Sequence, residues 1–552
     1  MIDWAGRVVP YPAYLTELYR SQGFWGIRSV ADEFHAVAEW YPDRTAVVDA
    51  DAGLTYAELD EASDRLAAGL HDLGLVPGGP VIVQLTNKVK TVIAWYGLLK
   101  AGLIPVCTLA AHRQHEIGSI SRKVGAVAHL VESSATGFDL VDFAVEQTSD
   151  HPTMRHVLTL DADDLTPGTR LEDLIAGVDA GRARRLVESV QAVIDPDDVV
   201  AFQLSGGTTG VPKVIPRLHA EYWYNARAYA DVRGWDHETR VAHLIPIIHN
   251  AGITCGLHPA HAVGGTLVLG TANLDQSLPI LVRERATAML VGHAHYGMVS
   301  HPLFDDVADV LEQVLFSGAK VPEHVFAAFE QRHVQVGQKF GMGEGLFTAT
   351  GFDAPRELRL TSVGLPISDL DEFLVIDPET LAALPDGQVG ELICRGPYTI
   401  RGYFDAEDIN KAAFTDDGFY RTGDLVKVIE VEGRRSISME GRIKDLINRG
   451  GEKISAEEVE GLLVRHPRIV SAAVVAMPDE RLGERACAFL VVRGEPLAMA
   501  EVQAHLSSLG VAKFKWPERL VPIAEMPRTQ VGKLDKNKLR SQLVDGADAV
   551  RI

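Results

Sequence analysis

The chain has 552 residues, too many for one hydrophobic core, so several lobes are expected. With 46% hydrophobic and 23% charged residues it has the balance of a soluble globular protein, and a formal charge of −22 excludes a general nucleic-acid binder. Four dispersed cysteines (Cys107, Cys255, Cys394, Cys487) without a CxxC argue against a zinc site or a disulfide framework and favour a reducing cytoplasm.

The opening stretch MIDWAGRVVPYPAYL lacks the basic-then-apolar order of a signal peptide. The apolar window Ala94–Thr108 is broken by Lys100 and Gly102 and is too short for a bilayer, so no membrane association is expected. Between 28 and 130, amphipathic helices alternate with β-rich runs. Leu59, Ala62, Leu66, Ala67 and Leu70 share one face of a helix over Tyr56–Leu73, and Val81–Leu85 follows as a strand. The pattern repeats at Val92–Ala101 and Ile104–Leu109, and again from 199 to about 350, which predicts α/β layers on largely parallel sheets. Glu372–Ile376 and Gly390–Arg395 then read as strands around the turn Leu384-Pro385-Asp386-Gly387, a smaller β-rich lobe. Beyond Glu440 a compact unit is expected, with helices at Ser455–His466 and Ala498–Leu509 and strands at Ser471–Ala476 and Ala486–Val492. Ser455 and Glu458 predict a capping box on the first of these helices.

The stretch Leu204–Arg217, LSGGTTGVPKVIPR, is built to hold phosphate. Gly206 and its neighbours free backbone N–H groups to wrap an anion; Ser205, Thr208 and Thr209 add hydroxyls, and Lys213 adds a charge. It is not a Walker loop, because Pro212 and Val214 flank the lysine. In GQKFGMGEGL (Gly337–Leu346), Phe340 can stack on a purine, Gly341 and Gly343 allow close approach, and Glu344 can hold a hard cation. Asp424, on an expected tight glycine turn Thr422-Gly423-Asp424, has two oxygens for the two hydroxyls of a ribose.

In this order the segments resemble the adenylate-forming superfamily of acyl-CoA synthetases, luciferases and peptide-synthetase adenylation domains. The extension Ile215-Pro216-Arg217 with His219, the run VQLTNKVKTVIAWYGLLKAGLIPV and His112-Arg113 are similar to stand-alone aryl-acid ligases of siderophore-type pathways. The resemblance implies an α/β fold: a large N-terminal domain (1–440) of layered α/β subdomains plus a β-rich lobe, and a small mobile α+β C-terminal domain (441–552). It also implies ATP and Mg²⁺. Ser317-Gly318-Ala319 and Phe340-Gly341-Met342 would lie along adenine, Glu344 would ligate the magnesium of ATP, and Asp424 would hold the ribose. Arg442 would contact ribose or phosphate, Lys444-Asp445 would be the pivot, and Gly450-Gly451 would line a tunnel for a pantetheine arm. Lys533, in Pro527–Lys533, would swing in to contact the substrate carboxylate and α-phosphate.

The acid pocket is expected around LIPIIHNAGITCG (Leu244–Gly256). Amino-acid-activating relatives carry a buried Asp where Asn250 aligns; a neutral Asn250 suits a hydroxyl or aniline-type amine ortho to a carboxylate. His249-Asn250 resembles ligases for 2-hydroxybenzoates, with His249 in the catalytic set beside Glu344 and Lys533. Ala251-Gly252 then stand where those ligases carry Tyr-Pro or Leu-Pro, which would remove bulk, and Ala251, Cys255, Gly343 and His293 complete the expected lining. The pair His293-Ala294-His295 fits recognition of a ring heteroatom or second polar substituent, a metal, or a surface pair. Anthranilate, 3-hydroxyanthranilate, hydroxypicolinate or quinaldate types are the expected acids, then salicylate or 2,3-dihydroxybenzoate. The product would be an aryl-AMP, and the acceptor a phosphopantetheinylated carrier protein. An aryl-CoA ligase and a non-catalytic nucleotide-binding relative are the alternatives. Segment 511–540, with eight cations and three carboxylates, is a net +5 island that would steer an acidic carrier.

Overall fold

A computed structural model describes residues 4–133, 137–205, 212–318, 321–449, 452–479, 481–529 and 534–545. The first long helix, Tyr56–Asp72, starts where Thr55 and Glu58 cap each other reciprocally, and it buries Leu59, Leu66, Ala67 and Leu70, with Ala62 half-covered. The next helix, Val89–Lys100, begins a turn earlier than its apolar pattern, because Asp49 Oδ2 accepts from Val89 N at 2.7 Å.

Lys100, which interrupts the apolar window in sequence, is fully buried. Its ammonium donates to Asp60 Oδ1 and Asp64 Oδ1, each at 2.6 Å, and His35 Nδ1 lies 2.8 Å from Asp60 Oδ2. Burial pushes the Asp60 carboxyl up, but Lys100 and His35 outweigh it and hold it down to about 2. Lys100→Met leaves two covered carboxylates short of a cation and is expected to cost about 3 kcal/mol in urea unfolding. A loss under about 1 kcal/mol, the value of an exposed pair, would show that the triad does not support the helix pair.

The chain divides into two compact units: 1–360 with 365–372 and 394–420, and 361–364 with 373–393 and 421–552. Unit one holds two sheets. The nine-stranded sheet contains β1 (Thr45–Val48), β2 (Arg240–His243), β3 (Thr266–Leu269), β4 (Ala288–Val291), β5 (Gln313–Ser317) and β6 (Gln335–Met342), in the spatial order β6-β5-β4-β2-β3-β1. Each pair in that row is parallel, as alternation with helices predicts. A seven-stranded sheet is parallel as far as Val199–Leu204, which turns back antiparallel into Val214–Leu218. Outside these layers are a four-stranded sheet and a five-stranded sheet, the latter with Ile469–Asp479 antiparallel to Gly483–Val492. The helix expected from Ser455 runs over Ala456–Leu463, and only half of its box forms. Ser455 Oγ accepts from Glu458 N at 3.2 Å, but the Glu458 carboxylate takes Lys515 Nζ at 2.7 Å instead of returning to the cap.

Candidate functional site

The carboxyl ends of β2, β4, β5 and β6 share one edge of the parallel sheet, where open α/β sheets gather their ligands. His249 and Asn250 follow β2, His293 follows β4, Gly318 follows β5, and Phe340, Gly341 and Met342 close β6. Sequence motifs nearly a hundred residues apart therefore meet.

β6 and Gly345–Ala349 form a hairpin in which Met342 pairs with Gly345, so Gly343 and Glu344 make its two-residue tip. Gly345 has φ +133°, and a Cβ there would lie 2.4 Å from Thr399 Cα, a place only glycine can take. Arg217 anchors the tip: Nη1 donates to Gly343 O at 2.8 Å, while Nε and Nη2 fork onto Glu221 at 2.7 and 2.6 Å in a fully buried pair. The same strand closes the hairpin that carries the Ser205–Lys213 segment. Ser205 N donates to Lys213 O at 2.9 Å, and Lys213 N donates to Ser205 Oγ at 3.0 Å, which locks the base of the loop. Gly206, Thr208 and Thr209 lie outside the described residues.

Tyr403 joins the two hairpins. Lys213 Nζ donates to its hydroxyl at 2.9 Å, and that hydroxyl donates to Glu344 Oε1 at 2.7 Å. Burial pulls the Lys213 ammonium below its ordinary range, against the attraction of Glu344. Burial first, and Glu344 second, push the Tyr403 hydroxyl far up, so it stays a donor. Glu344 Oε2 carries no hydrogen bond among the described residues, which leaves a hard oxygen for a cation.

The turn carrying His249-Asn250 is held by Asn87. Its Nδ2 donates to Ile245 O and Gly270 O, each at 2.8 Å, and its Oδ1 accepts from Ile247 N at 2.7 Å. His249, not Asn250, caps the short helix that follows, with Nδ1 accepting from Ala251 N at 3.2 Å. Asn250 turns inward and is 6% exposed. Tyr222 donates to its Oδ1 at 3.0 Å, Gln203 Nε2 donates to Tyr222 at 3.0 Å, and Asn250 Nδ2 reaches Met342 O at 3.4 Å. One lone pair and one N–H of the amide remain for a ligand. The expectation that Ala251-Gly252 removes bulk needs correction for the glycine: a Cβ at Gly252 would lie 2.2 Å from Ile247 O, so the backbone path requires it. Ala251 is half-buried and Cys255 is buried one turn on.

The two histidines after β4 part company. His293 is half-buried with its ring 5.0 Å from that of Tyr296, whereas His295 is buried, accepts from Gly292 N at 3.3 Å and is pulled down to about 4 by burial. Among the described residues no group of three His, Cys, Asp or Glu side chains is arranged to hold a metal.

In unit two, Asp424 is nearly fully buried and accepts from Arg442 Nε at 2.8 Å, opposite which it sits in register. The expected tight turn at Gly423 is a kink inside the strand Tyr420–Val431, where Gly423 takes φ +70° and its N–H reaches Glu391 Oε1 at 3.2 Å. Burial, then Arg442, lowers the Lys444 pKa, and Asp445 takes Arg540 Nη2 at 2.7 Å. The +5 island is partly neutralised: Lys515, Lys536 and Arg540 each pair with a carboxylate outside it, on Glu458, Glu460 and Asp445. Ala319, Gly450, Gly451 and Lys533 lie outside the described residues.

Residues 34–404 match the AMP-binding enzyme family, and 458–533 match the AMP-binding enzyme C-terminal domain. The chain belongs to the AMP-binding enzymes. Triostin synthetase I of Streptomyces triostinicus is 40% identical over 98% of this chain and 99% of its own. A salicyl-AMP ligase / salicyl-S-ArCP synthetase of Mycobacterium tuberculosis is 36% identical over 98% of this chain and 95% of its own. The apo structure of Mycobacterium smegmatis MbtA superposes with a TM-score of 0.73 at 36% identity, covering 98% of this chain and 99% of that one. This AMP-binding enzyme thus has the mixed α/β architecture of adenylate-forming enzymes. Its supports Asn87, Gln203, Tyr222 and Tyr403 gave no signal of spacing in the sequence, and their partners lie up to 190 residues away. Glu221 instead stands four residues after Arg217, a pair spacing open to reading.

Proposed function

We propose that this chain activates an aromatic carboxylic acid with MgATP and passes the acyl group to a phosphopantetheine thiol. A carboxylate oxygen attacks the α-phosphorus and the bond to pyrophosphate breaks, giving aryl-AMP. The thiol sulfur then attacks the acyl carbon, the bond to AMP breaks, and the thiol proton goes to solvent. The carrying observation is Asn250 held against Met342: a neutral amide beside the Gly343-Glu344 tip of the hairpin, where an amino acid's ammonium would require a carboxylate.

Glu344 would hold magnesium through Oε2, and the ion would supply positive charge against that developing on the pyrophosphate. Lys213 and the loop from Ser205 would hold phosphate, Phe340 and Gly318 the adenine, and Asp424 with Arg442 the ribose. Lys444-Asp445 would be the pivot between domains 1–440 and 441–552, and Lys533 the cation of the first half-reaction. The carrier thiol is supported by the name of the Mycobacterium tuberculosis relative, a salicyl-S-ArCP synthetase. An aryl-CoA ligase uses the same chemistry with a different thiol. ATP–pyrophosphate exchange over a panel of ortho-substituted aromatic acids, then transfer to a holo-carrier and to CoA, tests both parts. Exchange with an aromatic acid and faster transfer to carrier are expected. Exchange with amino acids only, or CoA outcompeting every carrier, would replace the reading.

A further inference from the structure

Two of the described lysines are buried in unit one, and the fold treats them differently. Lys100 is matched by two carboxylates. Lys339, on β6 and 4% exposed, has no carboxylate or hydrogen-bond acceptor on its ammonium among the described residues. Its Nζ lies 3.6 Å from the centre of the Phe347 ring and 5.6 Å from that of Tyr229. Ring faces offset part of the charge but give none of its three N–H donors a conventional lone pair.

This ammonium lies beside the exposed end of β6. Lys339 and Gly341 share a face of β6, and a Cβ on Gly341 would lie 2.9 Å from Nζ. The missing side chain lets the Phe347 ring, 2.5 Å from where that Cβ would stand, and the Lys339 ammonium lie against this exposed stretch of strand. The following residue, Met342, holds Asn250. Tyr229, whose ring faces Nζ, belongs with Phe347 and Cys255 to one buried apolar core. Lys339, Phe347 and Tyr229 thus form one cluster on β6, three residues before the Met342 carbonyl that Asn250 reaches.

We propose that Lys339 is a specificity-determining residue of the acid pocket, its ammonium donating to a lone pair carried by the aromatic ring system of the substrate, a ring nitrogen or a ring-bound oxygen. The inference rests on the aryl-acid reading and narrows it. An aniline amine is chiefly a donor and meets an ammonium poorly, so pyridine-, quinoline- and oxygen-substituted carboxylates are favoured over anthranilate types.

Pyridine- and quinoline-carboxylates, with and without a hydroxyl, are each paired with the benzene or naphthalene acid that differs by CH for N, and kcat/KM for pyrophosphate exchange is measured. Hydroxylated acids are likewise paired with their unsubstituted parents. The wild type is expected to favour the acceptor member of at least one pair by tenfold or more. Lys339→Met should bring that ratio to within twofold, chiefly through KM, while exchange with the plain hydrocarbon acid persists. Lys339→Gln keeps a donor without the charge and should retain part of the ratio; it decides the matter where the Met variant does not fold. An unchanged ratio in the folded variants, or no acceptor preference in the wild type, overturns the role of Lys339 alone. No exchange with any aromatic acid overturns the aryl-acid reading and this inference with it.

Discussion

Glu344→Gln is expected to slow ATP–pyrophosphate exchange about a thousandfold, roughly 4 kcal/mol in the barrier, with little change in thermal unfolding. The two effects separate because of how the residue is held. Glu344 Oε1 accepts one hydroxyl, from Tyr403 at 2.7 Å, and a glutamine oxygen accepts the same bond in the same place. The hairpin tip is otherwise fixed by backbone, through Arg217 on Gly343 O at 2.8 Å and Ile400 N on Glu344 O at 2.8 Å, neither of which involves the Glu344 side chain. What the substitution removes is the negative charge on Oε2, the oxygen proposed for magnesium. Raising the magnesium concentration should therefore restore part of the rate. Exchange within threefold of wild type, in a variant of unchanged stability, would take the metal-holding role away from Glu344.

The parts of this site that were readable in sequence are those where local composition carries the chemistry. Glycine runs beside hydroxyls and a lysine marked Ser205 and Lys213, and a carboxylate in a glycine-rich bend marked Glu344; both stand at hairpin bases or tips. Alternating strands and helices gave the parallel sheet, and with it the strand ends where the motifs meet. Most of the supports were hidden because their partners are distant in sequence. Tyr403 is one tyrosine among thirteen until the fold sets it between Lys213 and Glu344. Asn87 lies within a run noted only for its resemblance, yet it ties down the turn before His249. Nothing in sequence told Lys100 and Lys339 apart from exposed lysines; only tertiary structure gives one its carboxylates and the other its aromatic rings. Gly252 misled in the opposite direction, since its lack of a side chain serves the backbone path at Ile247.

Lys533→Ala is expected to cut aryl-AMP formation by about 3 kcal/mol, roughly a hundredfold, while transfer from supplied aryl-AMP to the thiol stays within threefold. In the first half-reaction a carboxylate approaches an α-phosphate, so like charges converge and a cation placed between them lowers the barrier. In the second, a sulfur attacks a neutral acyl carbon and the phosphate only departs, so that convergence is absent. Lys213 is the natural contrast. Its base is locked by Ser205 and its ammonium bonded to Tyr403 within unit one, so the phosphate contact proposed for it would stay in place through both half-reactions. Lys533 lies on the C-terminal family domain, which ends at residue 533, and the proposed pivot at Lys444-Asp445 would present it in one half-reaction only. Supplying purified aryl-AMP and holo-carrier isolates the second step from the first. Equal losses in both steps would make Lys533 a general binding residue and would remove the reason to invoke a pivot.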